Sequence, residues 1–258
     1  MLKATGIHYS IGRNVILTGI NVSFNPGEFN IILGPNGSGK STFMKIFSGE
    51  ITDQEGEIFY DKQNIRSVKK DVLAKQRAVM SQQPELNFPL SVYEVVMMGR
   101  YPHFDFNPDK KDMAICAEVM QLMNLNSFKD RNYLTLSGGE KQRVQFARAL
   151  AQVWEKPSEG YRYLFLDEPL NSLDINYQQE FLQLARSFAD NNTVLIAVLH
   201  DINLAIHYGH RLFFLKDGRL ITSGKPADII TETMIENVFG LRTRVIKNPV
   251  TGLPLMIY

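Results

Sequence analysis

The chain has 258 residues, 44% of them hydrophobic, enough for one large domain or a core carrying an insertion. Its 28 basic and 27 acidic residues leave a net charge of +1 with no long run of either sign, so no nucleic-acid partner is expected. The single cysteine, Cys116, can form no internal disulfide and fits a reducing compartment.

The N-terminus, Met1–Gly6, carries no apolar signal segment. Apolar runs such as Val194–Leu199 are short, where a membrane span needs roughly twenty residues. A soluble chain is expected, held at a membrane only through a partner. Residues 2–33 alternate as strands broken by turns at Gly12-Arg13-Asn14 and Asn25-Pro26-Gly27. The apolar run Phe29–Leu33 then feeds Gly34-Pro35-Asn36-Gly37-Ser38-Gly39-Lys40-Ser41, and Thr42–Phe47 reads as the first turns of a helix. A glycine-rich turn from strand to helix bares backbone N–H groups, and the helix N-terminus adds partial positive charge. Glycines let phosphates approach without a Cβ and permit positive φ. Lys40 can reach β- and γ-phosphates, and the Ser41 hydroxyl is placed to ligate Mg²⁺. This stretch predicts a nucleotide site.

Beyond it, Gly56–Tyr60 reads as a strand, Ser67–Lys75 as a short polar helix and Ala78–Met80 as a third strand. Ser91–Arg100 and Pro108–Leu125 have helical spacing, the second with Met113, Cys116, Ala117, Met120 and Met123 expected along a core face. Gly138–Gln152 is a further helix, burying Val144, Ala147, Leu150 and Ala151. Tyr163–Leu166 and Thr193–Leu199 are apolar runs of the kind found in central parallel strands, and Tyr177–Ala189 between them is helical. Arg211–Lys216 and Arg219–Ser223 flank Asp217-Gly218, a hairpin signal. Asn248–Pro254 is rich in turn residues. The expected fold is an α/β core interrupted by a helical insertion from about Leu86 to Gln152.

Four groups can carry chemistry. Asp167 and Glu168 end an apolar strand, at the strand edge where ligands gather in parallel sheets. Asp167 would hold Mg²⁺, directly or through water, and Glu168 could polarise an attacking water. Pro169 also allows a plain strand-end turn, and the phosphate loop upstream favours catalysis. Leu136-Ser137-Gly138-Gly139-Glu140 is a capping box, but two consecutive glycines weaken a helix start unless something must approach the backbone. It therefore suggests a second set of phosphate contacts. His200 follows the strand Thr193–Leu199, at the same sheet edge, with position its only claim to more than structure. Gln82 ends another strand and could touch the Mg²⁺ or its water. His207 and His210 are three residues apart, without further ligands to make a metal site.

Together these stretches resemble the ATP-binding subunits of ABC transporters over nearly the whole chain. Gly34–Ser41, extended to Thr42, is similar to Walker A and Tyr163–Glu168 to Walker B. Leu136–Glu140 resembles the signature, Gln82 the Q-loop (with Gln83 adjacent), Ser172-Leu173-Asp174 the D-loop and His200 the switch histidine. The resemblance implies a single ABC ATPase domain over 1–258. Its P-loop NTPase (RecA-like) core would comprise 1–85 and 153–258, with an N-terminal antiparallel β part, and 86–152 an inserted α-helical subdomain. It implies ATP and Mg²⁺ as cofactors, with Ser41, Gln82 and Asp167 on the metal and Tyr9, or Ile11, stacking on adenine. It also implies a head-to-tail homodimer in which one copy's signature caps the ATP held by the other. Further partners would be an integral-membrane permease in two copies and an extracytoplasmic substrate-binding protein. The chain would then sit peripherally on the cytoplasmic face of a prokaryotic inner membrane, with Leu86, Phe88, Pro89 and Leu90 as a socket for a permease helix. Val96–His103 is similar to a segment of the ATPases importing ferric siderophores, haem and vitamin B12. The extension Val153–Tyr161 and the tail Lys247–Tyr258 look like those of haemin importers.

Overall fold

The computed structural model describes residues 1–81, 86–171 and 173–257. Strands β1 (Leu2–Ile11) and β2 (Asn14–Phe24) lead into β3 (Phe29–Leu33) and helix α1 (Lys40–Phe47). Next come β4 (Glu55–Tyr60), β5 (Gln63–Asn64), α2 (Lys70–Gln76) and β6 (Arg77–Met80). Helices α3 (Val92–Met97), α4 (Lys110–Leu122) and α5 (Gly138–Gln152) follow before the chain returns to β7 (Arg162–Asp167). The remainder is α6 (Ile175–Phe188), β8 (Thr193–Val198), α7 (Ile202–Tyr208), β9 (Arg211–Lys216) and β10 (Arg219–Gly224). After these stand α8 (Pro226–Ile229), α9 (Glu232–Phe239), β11 (Arg244–Lys247) and β12 (Pro254–Ile257).

A six-stranded sheet, β10-β9-β3-β8-β7-β6, forms the centre. Its pairs are parallel except β9–β10, which turns on Asp217 and Gly218 with φ of 48° and 70°, as a tight hairpin requires. Successive strand residues point to opposite faces, and both faces are apolar. Ile31, Leu164, Leu166, Leu195 and Ala197 join one buried cluster with the helices α3 to α7. Ile32, Tyr163, Phe165, Val194 and Ile196 join the other, facing α1 and the antiparallel sheet β2-β1-β4-β5. α1 is held between the two sheets by Phe43 and Phe47, stacked at 3.9 Å, with Phe24 edge-on to both. The α/β architecture expected from the sequence is therefore present.

Two local readings need correction. The polar helix expected at Ser67–Lys75 begins at Lys70, because Ile65–Ser67 forms a separate 3₁₀ turn capped by the Asn64 side chain. The buried face of α4 comprises Asp112, Ile115, Cys116, Val119 and Met120, whereas Met113 and Ala117 are exposed. The apolar stripe was misread because the charged Asp112 belongs to it, paired inside with Arg100. The turn-rich stretch Asn248–Pro254 is the turn of a hairpin, in which β11 and β12 pack against α7.

Candidate nucleotide site

The phosphate loop leaves β3 and closes on itself through Ser38 N–H donating to the Pro35 carbonyl at 3.2 Å. Gly39, the N-cap of α1, has φ 96°, and a Cβ there would stand 2.8 Å from Leu17 Cδ2 and 3.0 Å from the Ile16 carbonyl. Only glycine fits that position. The other described helices of eight or more residues begin with a side-chain cap: Asp109 on α4, Ser137 on α5, Asp174 on α6, Thr231 on α9. α1 has no side-chain cap. Its first N–H groups are thus presented to a cavity of about 360 Å³ lined by Ile16, Asn36, Gly37, Gly39, Lys40, Ser41, Thr42 and Glu168. Bare amides plus the helix dipole suit an anion.

Lys40 is buried, and its ammonium donates to the carbonyls of Gly34 (2.9 Å) and Pro35 (3.0 Å). Burial lowers its pKa, against the opposing pull of Glu168 and Asp167. The charge is held ready beside the cavity.

The carboxylates sit at the end of β7, next to β8 through the Asp167–Val198 register pair. Burial, with the neighbouring Glu168 charge, pushes Asp167 up to about 6. Its Oδ1 is buried without a hydrogen-bond partner among the described residues. Glu168 adopts φ 49°, a left-handed conformation that costs a non-glycine residue on the order of 1 kcal/mol or more. Its Oε1 lies 2.8 Å from His200 Nε2, and its Oε2 accepts from Asn171 Nδ2 at 3.0 Å. Burial alone would raise Glu168, but the bonds from Asn171 and His200 lower its pKa on balance. It is therefore an ionised carboxylate, able to accept a proton.

Residues 17–171 match the family model described as ABC transporter. The chain belongs to the ABC transporter family. It is 43% identical to the hemin import ATP-binding protein HmuV of Gloeobacter violaceus, over 100% of this chain and 94% of that one. The corresponding protein of Escherichia coli O157:H7 is 38% identical, over 100% and 99%. Among solved structures, a dimeric ATP-binding cassette in a post-hydrolysis state with ADP and Pi superposes with a TM-score of 0.74 at 29% identity. That match covers 87% of this chain and 98% of the other. The protein is thus an ABC ATPase with a P-loop NTPase fold, and ATP is its nucleotide.

The residues singled out from the sequence of this ABC ATPase fall into three groups. Asn36, Gly37, Gly39, Lys40, Ser41, Thr42 and Glu168 share one cavity wall. Gly34, Pro35 and Ser38 support the loop behind it: a Cβ on Gly34 would collide with the Leu215 carbonyl, and Ser38 is buried. His200 and Asp167 flank Glu168. Leu136–Glu140 does not line that cavity. There Ser137 caps α5, its N–H donating to Glu140 Oε2 at 2.7 Å while Glu140 N–H returns a 3.3 Å bond to Ser137 Oγ. Asp174 caps α6 by accepting from Tyr177 N–H at 3.0 Å. Gln82, Gln83 and Ser172 lie outside the described residues.

Tyr9 is not on the cavity wall. It is partly buried against the N-terminal core cluster, and Ile11 is exposed. Ile16 of β2, the strand that passes beside Gly39, is on that wall. Asn171 was also missed, although its place three residues after Glu168 in a Pro-led turn was a usable signal. For Mg²⁺, the donor chemistry fits: the orphaned, buried Asp167 Oδ1 is an oxygen wanting a cation, and hard cations take such ligands.

Proposed function

We propose that this ABC ATPase powers haemin import, working as a homodimer on the cytoplasmic face of a membrane-embedded permease that receives its cargo from an extracytoplasmic binding protein. The cargo reading rests on its similarity to curated hemin import ATP-binding proteins along the whole chain. One observation carries the chemistry: the cavity around Lys40 has the ionised Glu168 on its wall, and no residue of Leu136–Glu140 lines it. Each chain then holds half of a site, and the signature residues Leu136–Glu140 of a second copy complete it. Among the described residues no helix is long and apolar enough to cross a membrane, so the permease must hold the dimer there. We assign 86–152 as the helical subdomain and 1–85 with 153–258 as the catalytic core. Partly buried Leu86 and Leu90, with exposed Phe88 and Pro89, form the permease socket.

In this reading the α1 amides and Lys40 bind the phosphates, exchanging the Gly34 and Pro35 carbonyls for phosphate oxygens. Ser41 and Asp167 would hold Mg²⁺ together with Gln82, and the ion would supply positive charge against the phosphates. Glu168 takes a proton from water, and His200 with Asn171 fixes the carboxylate in place. Asp174, at the start of α6, belongs to the surface between the two copies.

The test is uptake into vesicles carrying the permease and its binding protein. Haemin should accumulate only with ATP and this chain, and ferric siderophore and vitamin B12 should not. ATP-driven uptake of either alternative instead of haemin would overturn the cargo assignment and leave the ATPase assignment standing.

A further inference from the structure

His200 reaches Glu168 across 2.8 Å, yet its side chain is 46% exposed, so burial does not fix it. Its orientation depends on α7, which starts one residue later with Asp201 as N-cap, Oδ1 accepting from Leu204 N–H at 2.8 Å. A seven-residue helix is marginal on its own and needs tertiary support. The sheet side supplies part of it through buried Ile202, Ala205 and Ile206.

The other side is held by the tail. Asn203 Nδ2 donates to the Met256 carbonyl at 3.0 Å, and Met256 N–H donates back to Asn203 Oδ1 at 2.9 Å. That reciprocal pair treats the side-chain amide as one more rung of the β11–β12 hairpin. Met256 itself is 2% exposed, anchored in the main core cluster. The hairpin is braced at its turn by Asn248 Oδ1, which accepts from the N–H groups of Val250 and Thr251. At its base, Val245 N–H donates to Glu232 Oε1 on α9. Asp201 and Leu204 line both the cavity beside Glu168 and His200 and the groove between α7 and the tail. Tail and catalytic pair are therefore separated by one turn of helix.

We propose that the hairpin Arg244–Ile257 is a strut that sets the catalytic geometry, with Asn203 as the positioning residue through which it holds His200 against Glu168. This rests on the ATPase reading of Glu168 and His200. Among the described residues, those lining the cavity around Lys40 all lie outside the hairpin, so loosening it slows turnover and spares nucleotide binding.

The experiment is a double-mutant cycle on the full chain, reading phosphate release against ATP concentration for the wild type, Asn203→Ala, His200→Ala and the pair. Asn203→Ala should lower kcat about tenfold, within the roughly 10²-fold that ångström-scale misplacement can cost, with KM within about twofold. In the His200→Ala background the same change should alter kcat by less than about twofold, because the group it positions is gone. An equal loss in both backgrounds, or no loss in either, would overturn the strut. An unchanged kcat in His200→Ala alone would instead overturn the reading of His200. Should Asn203→Ala melt below the assay temperature, Asn203→Asp takes its place in the cycle. It keeps the acceptor for Met256 N–H and sets an oxygen against the Met256 carbonyl, and the same two outcomes decide.

Discussion

Arg100 joins the two segments that set this chain apart in sequence, Val96–His103 and the extension Val153–Tyr161. Its guanidinium is 1% exposed and bonded through each of its three nitrogens: Nε donates to Asp112 Oδ1 (2.9 Å), Nη1 to the Ala151 carbonyl (2.7 Å) and Nη2 to Glu155 Oε2 (2.7 Å). The preceding Gly99 lies against α5 so closely that a Cβ would collide with the Arg148 carbonyl. The two carboxylates differ in exposure, 5% for Asp112 and 32% for Glu155, and this predicts an order of effects. Asp112→Ala leaves a buried cation without its buried counter-charge, a change that costs about 3–5 kcal/mol. The lower end applies because Glu155 and the Ala151 carbonyl remain. Glu155→Ala opens a half-solvated position that water can fill, at about 1 kcal/mol.

For a chain of this size about 1 kcal/mol moves Tm by roughly 2–4 °C, so Asp112→Ala should lower it by roughly 6–12 °C and Glu155→Ala by roughly 2–4 °C. Circular-dichroism melts at pH 7.5 measure both. Burial would raise Glu155, but its bonds to Lys111 and Arg100 prevail and hold it below the ordinary 4.5. Its contribution is therefore complete above that value and lost as pH falls through the lower folded pKa. Consequently the gap between Glu155→Ala and wild type should close in acid. A Glu155→Ala loss equal to that of Asp112→Ala, or a gap that widens in acid, would refute this account of the network.

Two further outcomes concern the nucleotide chemistry. Glu168→Gln should keep ATP binding and slow phosphate release by roughly 10²–10⁴-fold, the usual worth of a positioned base, and near-normal turnover would remove Glu168 from that role. Ser137→Arg should leave ATP binding to the monomer intact and prevent ATP-driven dimers. Light scattering that still detects such dimers would contradict the two-chain site.

The central strands were legible because strands buried on both faces are uninterrupted apolar runs, as in Tyr163–Leu166 and Thr193–Leu199. The phosphate loop was legible because its glycines answer local demands, such as the φ of 96° at Gly39. Long-range partnerships were not. Nothing near Asp112 in sequence announces Arg100 across twelve residues, so the face of α4 was misjudged. The place of Ile16 on the cavity wall was hidden for the same reason: local alternation gives strands, not which of them passes the loop. In the tail the turn at Asn248–Pro254 was legible, but not the strands beside it: β11 and β12 have four residues each, and their tether, Asn203, lies some fifty residues upstream. Glu168 illustrates the converse. A strained φ is invisible in sequence, yet the carboxylate pair at a strand end already pointed to the residue that bears it.

The two helix starts imply different things about what meets them. α1 lacks a side-chain cap, and its N–H groups open onto the cavity holding Lys40, so that end is complete only with an anion from outside the fold. α5 has its cap, but the box engages only the N–H groups of Ser137 and Glu140. Among the described residues the amides of Gly138 and Gly139 meet no acceptor and are left to solvent or a ligand, on a helix start weakened by up to about 1 kcal/mol per glycine relative to alanine. If local stability were the only pressure, alanine at both positions would serve the cap equally well. Two glycines there, Gly138 exposed and Gly139 partly so, make sense when a bulky anion approaches the backbone, as a Cβ would hinder it. No residue from Leu136 to Glu140 borders the cavity of the same chain. In the proposed dimer one triphosphate would lie between two chains, with α1 of one copy and α5 of the other closing on it from opposite sides.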